Sequence, residues 1–200
     1  VLGGSAFDSL GSIQQTSDGG YIAVGSSRSG VSGNKTTASF GDYDGWLVRL
    51  AVDGTKLWDQ TFGGAGLDGL GSIRETTDGG FIVEGISASG DSGNKTTAGF
   101  GGSDRWLFKL NAAGSKQWEQ VFGGSSTDEG GDGGGYYVQQ TSDGGYIIAG
   151  TSNSGTSGNK TAPNLGGNDY WVVKILDAAE APVGTPRISV TGQFKGADNF

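Results

Sequence analysis

The sequence contains no histidine, no cysteine and no methionine, and only 3 of its 200 residues are proline. Without histidine, the chain cannot form Ser-His-Asp triads, imidazole general bases or imidazole metal sites. Without cysteine, it cannot form disulfides or thiolate zinc sites. No run of about 18 apolar residues occurs, so the sequence predicts no transmembrane helix and no membrane insertion.

The charge balance is acidic and the glycine content is high. There are 21 Asp and Glu residues against 13 Lys and Arg residues, and the basic residues do not cluster. A phosphate-binding surface needs clustered Lys and Arg, so the sequence predicts no nucleic-acid partner. The 42 glycines approach a disordered composition, but a net charge of only −8, together with 5 Trp, 6 Tyr and 9 Phe, predicts a folded core instead.

One block of sequence occurs three times along the chain. Trp46, Trp106 and Trp171 occupy equivalent positions and lie 60 and 65 residues apart. Such a period is typical of repeat architectures in which each unit packs against the next. The predicted organisation is a repeat domain at 1–176, with units at 1–64, 65–124 and 125–176, a five-residue insertion near 129–135, and a final segment at 177–200. We expect the final segment to be a linker that supplies a closing strand or begins a following domain.

Each unit contains two predicted hairpins and shows no helical periodicity. In the first unit, short β-rich segments flank the Asp-Gly-Gly turn at 18–20 and the Asp-Gly turn at 53–54. Glycine accepts the positive φ that such tight turns require. Trp46, Val48 and Leu50 alternate with other residues and therefore share one face of a strand. We expect four short strands per unit, with the Trp side chains in the core rather than stacked on a sugar.

These features predict an all-β fold of β-propeller-like blades, built from three four-stranded repeats of about 60 residues. The β-trefoil and the β-prism are alternatives, because both also combine three units of four strands. Three blades are fewer than the roughly four to eight of a closed propeller. The chain is therefore expected to be a partial propeller or part of a larger ring, completed by neighbouring blades from the same longer chain or by a homo-oligomer.

The connection between the two hairpins is the most repetitive segment, and it reads G-x-S-x-S-G-x-S-G-N-K-T in all three units. Long loops without secondary structure often carry function. The candidate ligand-binding residues are the Asn-Lys pairs of the three loops: Asn34, Lys35, Asn94, Lys95, Asn159 and Lys160. Two alternatives are a purely structural role for the turn-forming residues and N-glycosylation of the N-x-T sequons in a eukaryotic secretory host.

Aspartate residues precede the first Trp of each unit and are candidate calcium ligands: Asp42, Asp44, Asp104 and Asp169. Carboxylate, Asn and carbonyl oxygens are the ligands that Ca²⁺ prefers, so calcium is the one candidate cofactor. The alternative is an Asx turn before a strand.

Two acidic residues depart from the repeat, and a single catalytic site requires such asymmetry. Glu84 and Asp91 stand where the first unit has Val24 and Val31. They are candidates for a glycosidase-like carboxylate pair. Two departures among many substitutions carry little weight, so the sequence predicts a protein that is not an enzyme.

The combined string F-G-G-x-x-x-D, S-I-x-x-T-x-D-G-G-[YF]-I, G-x-S-x-S-G and D-x-W-[LV]-x-[KR]-[LI] resembles the DGGY-type repeats of large secreted surface proteins of Gram-negative bacteria, over about 1–176. The resemblance implies a propeller-like, extracellular or cell-surface module for adhesion or protein–protein contact, with no catalytic site. The chain departs from similar repeats in its Gly-Asn-Lys-Thr sequence, where Gly-Asn is often followed by His or Gly. Alternative functions are a multivalent carbohydrate-binding lectin that uses the long loops on a surface glycan, and a calcium-stiffened structural spacer.

Overall fold

The computed structural model describes residues 1–130, 135–176 and, as backbone, 188–189. Every helix or strand among these residues is a β-strand, which confirms the all-β prediction. Within the same residues, no helix has the length and apolar character needed to cross a membrane. The strands are β1 (Asp8–Gln15), β2 (Tyr21–Ser27), β3 (Asp44–Leu50), β4 (Lys56–Phe62), β5 (Asp68–Glu75), β6 (Phe81–Ser87), β7 (Asp104–Leu110), β8 (Lys116–Phe122), β9 (Tyr137–Gln140), β10 (Tyr146–Ser152), β11 (Asp169–Ile175) and β12 (Ile188–Ser189).

The strands form three antiparallel four-stranded sheets. Sheet 1 has the order β1-β2-β3-β4, sheet 2 has β5-β6-β7-β8, and sheet 3 has β9-β10-β11-β12. Consecutive strands therefore pair, and each sheet is a simple meander. Residues 131–134, 177–187 and 190–200 lie outside the described residues, and with them most of the predicted insertion near 129–135 and of the predicted segment 177–200.

The Asp-Gly-Gly turns contact a basic residue of the third strand in each sheet. Gly19 has a φ of 86°, a conformation that side chains other than glycine rarely adopt. The Asp18 carboxylate accepts a hydrogen bond from Thr16 Oγ1 at 2.6 Å and forms an ion pair with Arg49 at 2.5 Å. These bonds lower the pKa of Asp18 to about 2. The same ion pair recurs as Asp78–Lys109 and Asp143–Lys174.

Sheet 2 lies between sheets 1 and 3 and buries both of its faces. On one face, Trp106 and Phe108 pack with Phe62 of sheet 1, with ring centroids 4.7–4.8 Å apart. On the opposite face, Leu107 packs in a second cluster with Trp171 of sheet 3. Alternate residues of one strand therefore contact different neighbouring sheets, which explains why β7 is apolar on both faces.

The two ends of each sheet differ in their connections. Asp8, Ser27 and Asp44 pair in register at one end, which we call the loop end because the long loops and the Gly-Gly segments leave the sheet there. The tight turns lie at the opposite end, which we call the turn end. All candidate ligand-binding and metal-ligating residues predicted from the sequence belong to the loop end.

Candidate functional site

The Asn side chains of the long loops bind the backbone of the preceding unit. Asn94 Oδ1 accepts a hydrogen bond from the Gly63 N–H at 2.9 Å, and Asn94 Nδ2 donates to the Thr61 carbonyl at 2.8 Å. Asn159 forms the same pair of bonds with Gly123 and Val121. Asn34 forms them with Gly3 and Val1. The three Asn residues therefore act as clamps between a loop and the chain segment that precedes its unit.

The glycine before each Asn allows the loop to approach this segment closely. Gly93 has a φ of 61°, and a Cβ added to it would lie 2.3 Å from the Gly63 carbonyl oxygen. Any larger residue would both strain the backbone and push the loop away. The Gly-Asn pair of the repeated loop is therefore explained by contact between units.

Replacing Asn94 with alanine is expected to lower the free energy of unfolding by about 1–3 kcal/mol, because it leaves a half-buried N–H and a half-buried carbonyl without partners. Urea denaturation followed by Trp fluorescence measures this. The matched control is Asn34→Ala, whose two bonds are exposed to solvent and are expected to contribute less than about 1 kcal/mol. Equal losses in the two variants would contradict the proposed clamp between sheets.

The Lys residues of the same loops are buried and contact protein oxygens. Lys35 Nζ donates to the Thr37 carbonyl at 2.6 Å and to Thr61 Oγ1 at 2.8 Å, and the residue is only 1% exposed. Lys160 Nζ donates to two backbone carbonyls at 2.8 Å. Lys95 is placed in the same way, and burial lowers the pKa of both Lys35 and Lys95. Ligand binding by the six Asn and Lys residues stays a prediction, since the observed contacts are all internal.

A second set of buried carboxylates organises the Gly-Gly segments. Asp68 Oδ2 accepts hydrogen bonds from the Gly64 N–H at 2.7 Å and from Ser89 Oγ at 2.6 Å. Asp8 and Asp128 bind the equivalent Gly and Ser residues. The recurring F-G-G-x-x-x-D and S-x-S-G patterns therefore belong to one hydrogen-bonded network, which the sequence did not reveal because its members lie about 25 residues apart.

The predicted calcium ligands lie at the starts of the third strands. Asp44 Oδ2 accepts a hydrogen bond from the Phe40 N–H at 2.8 Å, and the carboxylates of Asp104 and Asp169 accept equivalent bonds at 2.6 Å. Asp42 is exposed and forms an ion pair with Arg28 at 2.5 Å. The arrangement matches the alternative of an Asx-type turn before a strand.

The second oxygens of two of these carboxylates are buried beside the next unit. Oδ1 of Asp44 and Oδ1 of Asp104 have no hydrogen-bond partner and lie against the Cα atoms of Gly63 and Gly123. Within residues 1–130 and 135–176, no three Asp or Glu side chains come close enough to share a metal ion. Calcium binding therefore stays a prediction, and the geometry supplies at most two carboxylates per junction.

Burial raises the pKa of Asp104 to about 6, and the nearby Asp128 carboxylate acts in the same direction. Between about pH 4 and pH 6, the folded state therefore binds more protons at this position than the unfolded state does, and stability falls as the pH rises. We expect Asp104→Asn to remove this dependence, which amounts to roughly 2–3 kcal/mol across the window. Urea denaturation at several pH values measures it.

The control for this experiment is Asp78→Asn. The hydrogen bonds from Thr76 and Lys109 outweigh burial and lower the pKa of Asp78 to about 2. The stability that ionised Asp78 contributes is present above its unfolded pKa near 4 and is lost only as the pH falls below it. A similar slope change between about pH 4 and pH 6 in both variants would contradict the assignment to Asp104.

The Trp residues and the two acidic departures from the repeat do not form a surface site together. Trp46, Trp106 and Trp171 are buried in the sheets, so their rings are not available for stacking on a sugar. Glu84 is fully buried at the contact between sheets 2 and 3, where it forms an ion pair with Arg105. Asp91 lies on the exposed surface of the second long loop. The carboxylate pair considered from the sequence is therefore divided between core and surface.

The loop end also exposes apolar side chains, which the sequence reasoning missed. We call them the loop-end apolar set: Phe7, Phe40, Leu67, Phe100 and Leu165, all between 43% and 76% exposed. Phe7 and Leu67 each directly precede the buried Asp of the Gly-Gly network, and the other three lie four residues before a third strand. The repeat position was a usable signal, because an apolar residue recurs there outside any strand.

No protein-family model matches the chain, and no curated protein sequence matches it significantly. Functional inference therefore depends on the geometry described above and on the repeat motif itself.

Proposed function

We propose that the chain is a β-propeller-like repeat module that acts outside the cell, without catalysis, in adhesion or protein–protein contact. The stacking of consecutive meanders supports propeller-like blades. Sheet 2 buries one face against sheet 1 and the other against sheet 3. In a β-prism each sheet contributes one face to a shared central core, and in a β-trefoil the units close a barrel, so neither alternative explains a sheet buried separately on both sides.

The observation that carries the proposed function is the loop-end apolar set. Exposed apolar side chains gathered at one end of a fold are typical of surfaces that contact another protein. The polar residues of the same end, by contrast, bind backbone atoms of their own chain, as the Asn clamps and the buried Lys residues do. The variable apolar side chains are then what this end presents to a partner.

The location outside the cell is supported by the resemblance to DGGY-type repeats of secreted surface proteins. The residues that carry this resemblance have structural roles: the turn Asp of D-G-G pairs with the basic residue of the third strand, and the Asp of F-G-G-x-x-x-D joins the loop network. The motif therefore describes a scaffold, and it leaves the exposed loop residues free to vary.

The proposal is tested by comparing two double variants in binding assays against a panel of purified extracellular proteins. Phe7→Ser with Leu67→Ser changes equivalent positions at the loop end. Val52→Ser with Leu57→Ser changes exposed apolar residues near the turn end and serves as the control. We expect the first double variant to weaken binding at least about tenfold and the second to leave it unchanged. Hydrolysis of a glycan by the wild-type chain would overturn the proposal.

The alternative of a multivalent lectin keeps a physical basis in the exposed rings of the loop end. Phe7 and Tyr43 form an edge-to-face pair with centroids 6.1 Å apart, and Arg28 lies over the Tyr43 ring. Exposed aromatic faces suit apolar faces of sugars, and repeated weak sites gain avidity. Binding on a glycan array that is lost in Phe7→Ser would favour this alternative. A fall in melting temperature on addition of EDTA would favour the calcium-stiffened spacer.

A further inference from the structure

The two outer faces of the stack of sheets differ from the inner ones. The outer face of sheet 1, which we call the head face, carries Leu10, Ile13, Tyr21, Trp46, Val48 and Leu50. The outer face of sheet 3, which we call the tail face, carries Ile147, Ala149, Tyr170, Val172 and Lys174. Each face repeats a face that lies inside the stack elsewhere.

The head face has the composition of a buried junction. Ile13 is 51% exposed, whereas its counterparts in the second and third units, Ile73 and Val138, are 0% and 3% exposed. Leu10 is 68% exposed, whereas Leu70 is 3% exposed. The inner counterparts are covered by the preceding sheet. The head face therefore presents the apolar surface that receives a sheet at the inner junctions.

The tail face has the composition of the covering surface. Ile22 and Ile82 are fully buried where they cover the next sheet, whereas the equivalent Ile147 is only partly buried. Tyr170, at the start of β11, is 92% exposed. The tail face is therefore the complement of the head face, displaced by the length of the stack.

Polar groups at the two outer faces also match those of the inner junctions. At the junction of sheets 2 and 3, Gln140 Oε1 accepts a hydrogen bond from the Thr77 N–H at 2.9 Å, while Gln140 Nε2 donates to the Gly144 carbonyl. Gln15 occupies the same position at the head face and holds the same bond to its own turn, from Nε2 to the Gly19 carbonyl at 3.2 Å. The counterpart of Thr77 at the tail is Ser142, whose N–H would meet Gln15 Oε1.

The first residues of the chain supply a further match. Val1 and Leu2 align with Val121 and Phe122, which pair with Trp106 and Arg105 on the third strand of sheet 2. The equivalent edge of sheet 3 lies at Trp171 and Tyr170. Among the described residues, β12 pairs only with Lys174 and Ile175 and so leaves that part of β11 without a strand. Asn34 holds Val1 beside the head face by accepting it as a backbone partner.

We propose that a second copy of this chain docks its tail face on the head face, and that Val1–Leu2 of the first copy extend the edge of β11 in the second. The contact is heterologous, because different surfaces of the two copies meet. Heterologous contacts close into rings or continue as open chains, and two copies form the smallest ring. The proposal does not depend on the adhesive function and concerns different residues.

Sedimentation velocity of the full chain from about 1 to about 200 µM tests the proposal. We expect the mass to rise from 20.2 kDa to that of a dimer or a larger ring with increasing concentration. Ile13→Asp changes the head face and Ile147→Asp changes the tail face, and each is expected to reduce association at least about tenfold. Tyr170→Asp is a second tail variant at a position too exposed to disturb folding. Val52→Asp is the matched control at the turn end and is expected to associate like the wild type.

Mixing the head variant with a tail variant distinguishes this contact from a symmetric one. Each variant alone lacks one of the two surfaces, but the mixture contains one intact head and one intact tail. We expect the equimolar mixture to form a heterodimer that neither variant forms by itself. A wild-type chain that stays monomeric at about 200 µM would overturn the proposal and leave a flanking unit of a longer chain as the occupant. A mixture that stays monomeric, or association unaffected by Ile13→Asp, would overturn it as well.

Discussion

Replacing Trp106 with alanine is expected to lower the free energy of unfolding by about 3–5 kcal/mol, the usual cost of removing a large aromatic side chain from a core. Trp106 is fully buried and packs against Phe108 within the cluster that joins sheets 1 and 2. Neither neighbouring sheet can move into the space without losing its other contacts, so most of the cavity remains. Urea denaturation monitored by circular dichroism measures the loss.

The control is Trp46→Ala, measured in dilute protein so that self-association does not contribute. Trp46 occupies the same position in sheet 1, but its cluster contains only Val48, Leu50 and the partly buried Tyr21. No second sheet covers this face within the described chain, so the structure can relax and the cost is expected to be smaller by at least about 1 kcal/mol. A loss well under about 1 kcal/mol for Trp106→Ala would show that the residue is not part of the core.

Replacing Glu84 with glutamine is expected to destabilise the chain by about 3–5 kcal/mol, because it leaves the Arg105 charge buried without its counter-ion. Both side chains are fully buried between sheets 2 and 3. Arg105 Nη2 also donates to the Ala149 carbonyl at 2.8 Å, and burial lowers the pKa of Arg105 to about 10, so the guanidinium remains charged at neutral pH. A variant with one partner therefore carries the full desolvation cost of the other.

The double variant Glu84→Val with Arg105→Gly provides the control, since it installs Val24 and Gly45 of the first unit at these positions. Removing both charges relieves the desolvation cost, so the double variant is expected to be more stable than Glu84→Gln. A double-mutant cycle with the two single variants gives the coupling free energy. Additive losses would show that the two side chains do not interact.

The sequence predicted the strands well because their signals are local. The segment from Lys56 to Phe62 is a strand with the predicted bounds, and the turn at Asp18 contains the positive φ at Gly19 that the motif requires. The alternation of Trp46, Val48 and Leu50 correctly placed these residues on one face of β3. Each of these inferences needs only neighbours within a few residues of the chain.

The roles of the loop residues could not be obtained in this way. Asn94 binds Gly63 across 31 residues, and Lys35 binds Thr61 across 26. A repeated polar residue in a loop is equally compatible with an external ligand and with a contact to the next unit, because the same side-chain groups serve both. Only the superposition of one unit on the end of another shows that the partners are internal.

The Asn clamps have a consequence for how such an array can grow. On the receiving side they contact only backbone groups: the N–H of Gly63 or Gly123 and the carbonyl of Thr61 or Val121. A clamp that reads main-chain atoms tolerates any side chain on the preceding outer strand. Gene duplication in whole steps of about 60 residues therefore preserves these junctions whichever copies become adjacent, while sequence drift continues on the exposed surface.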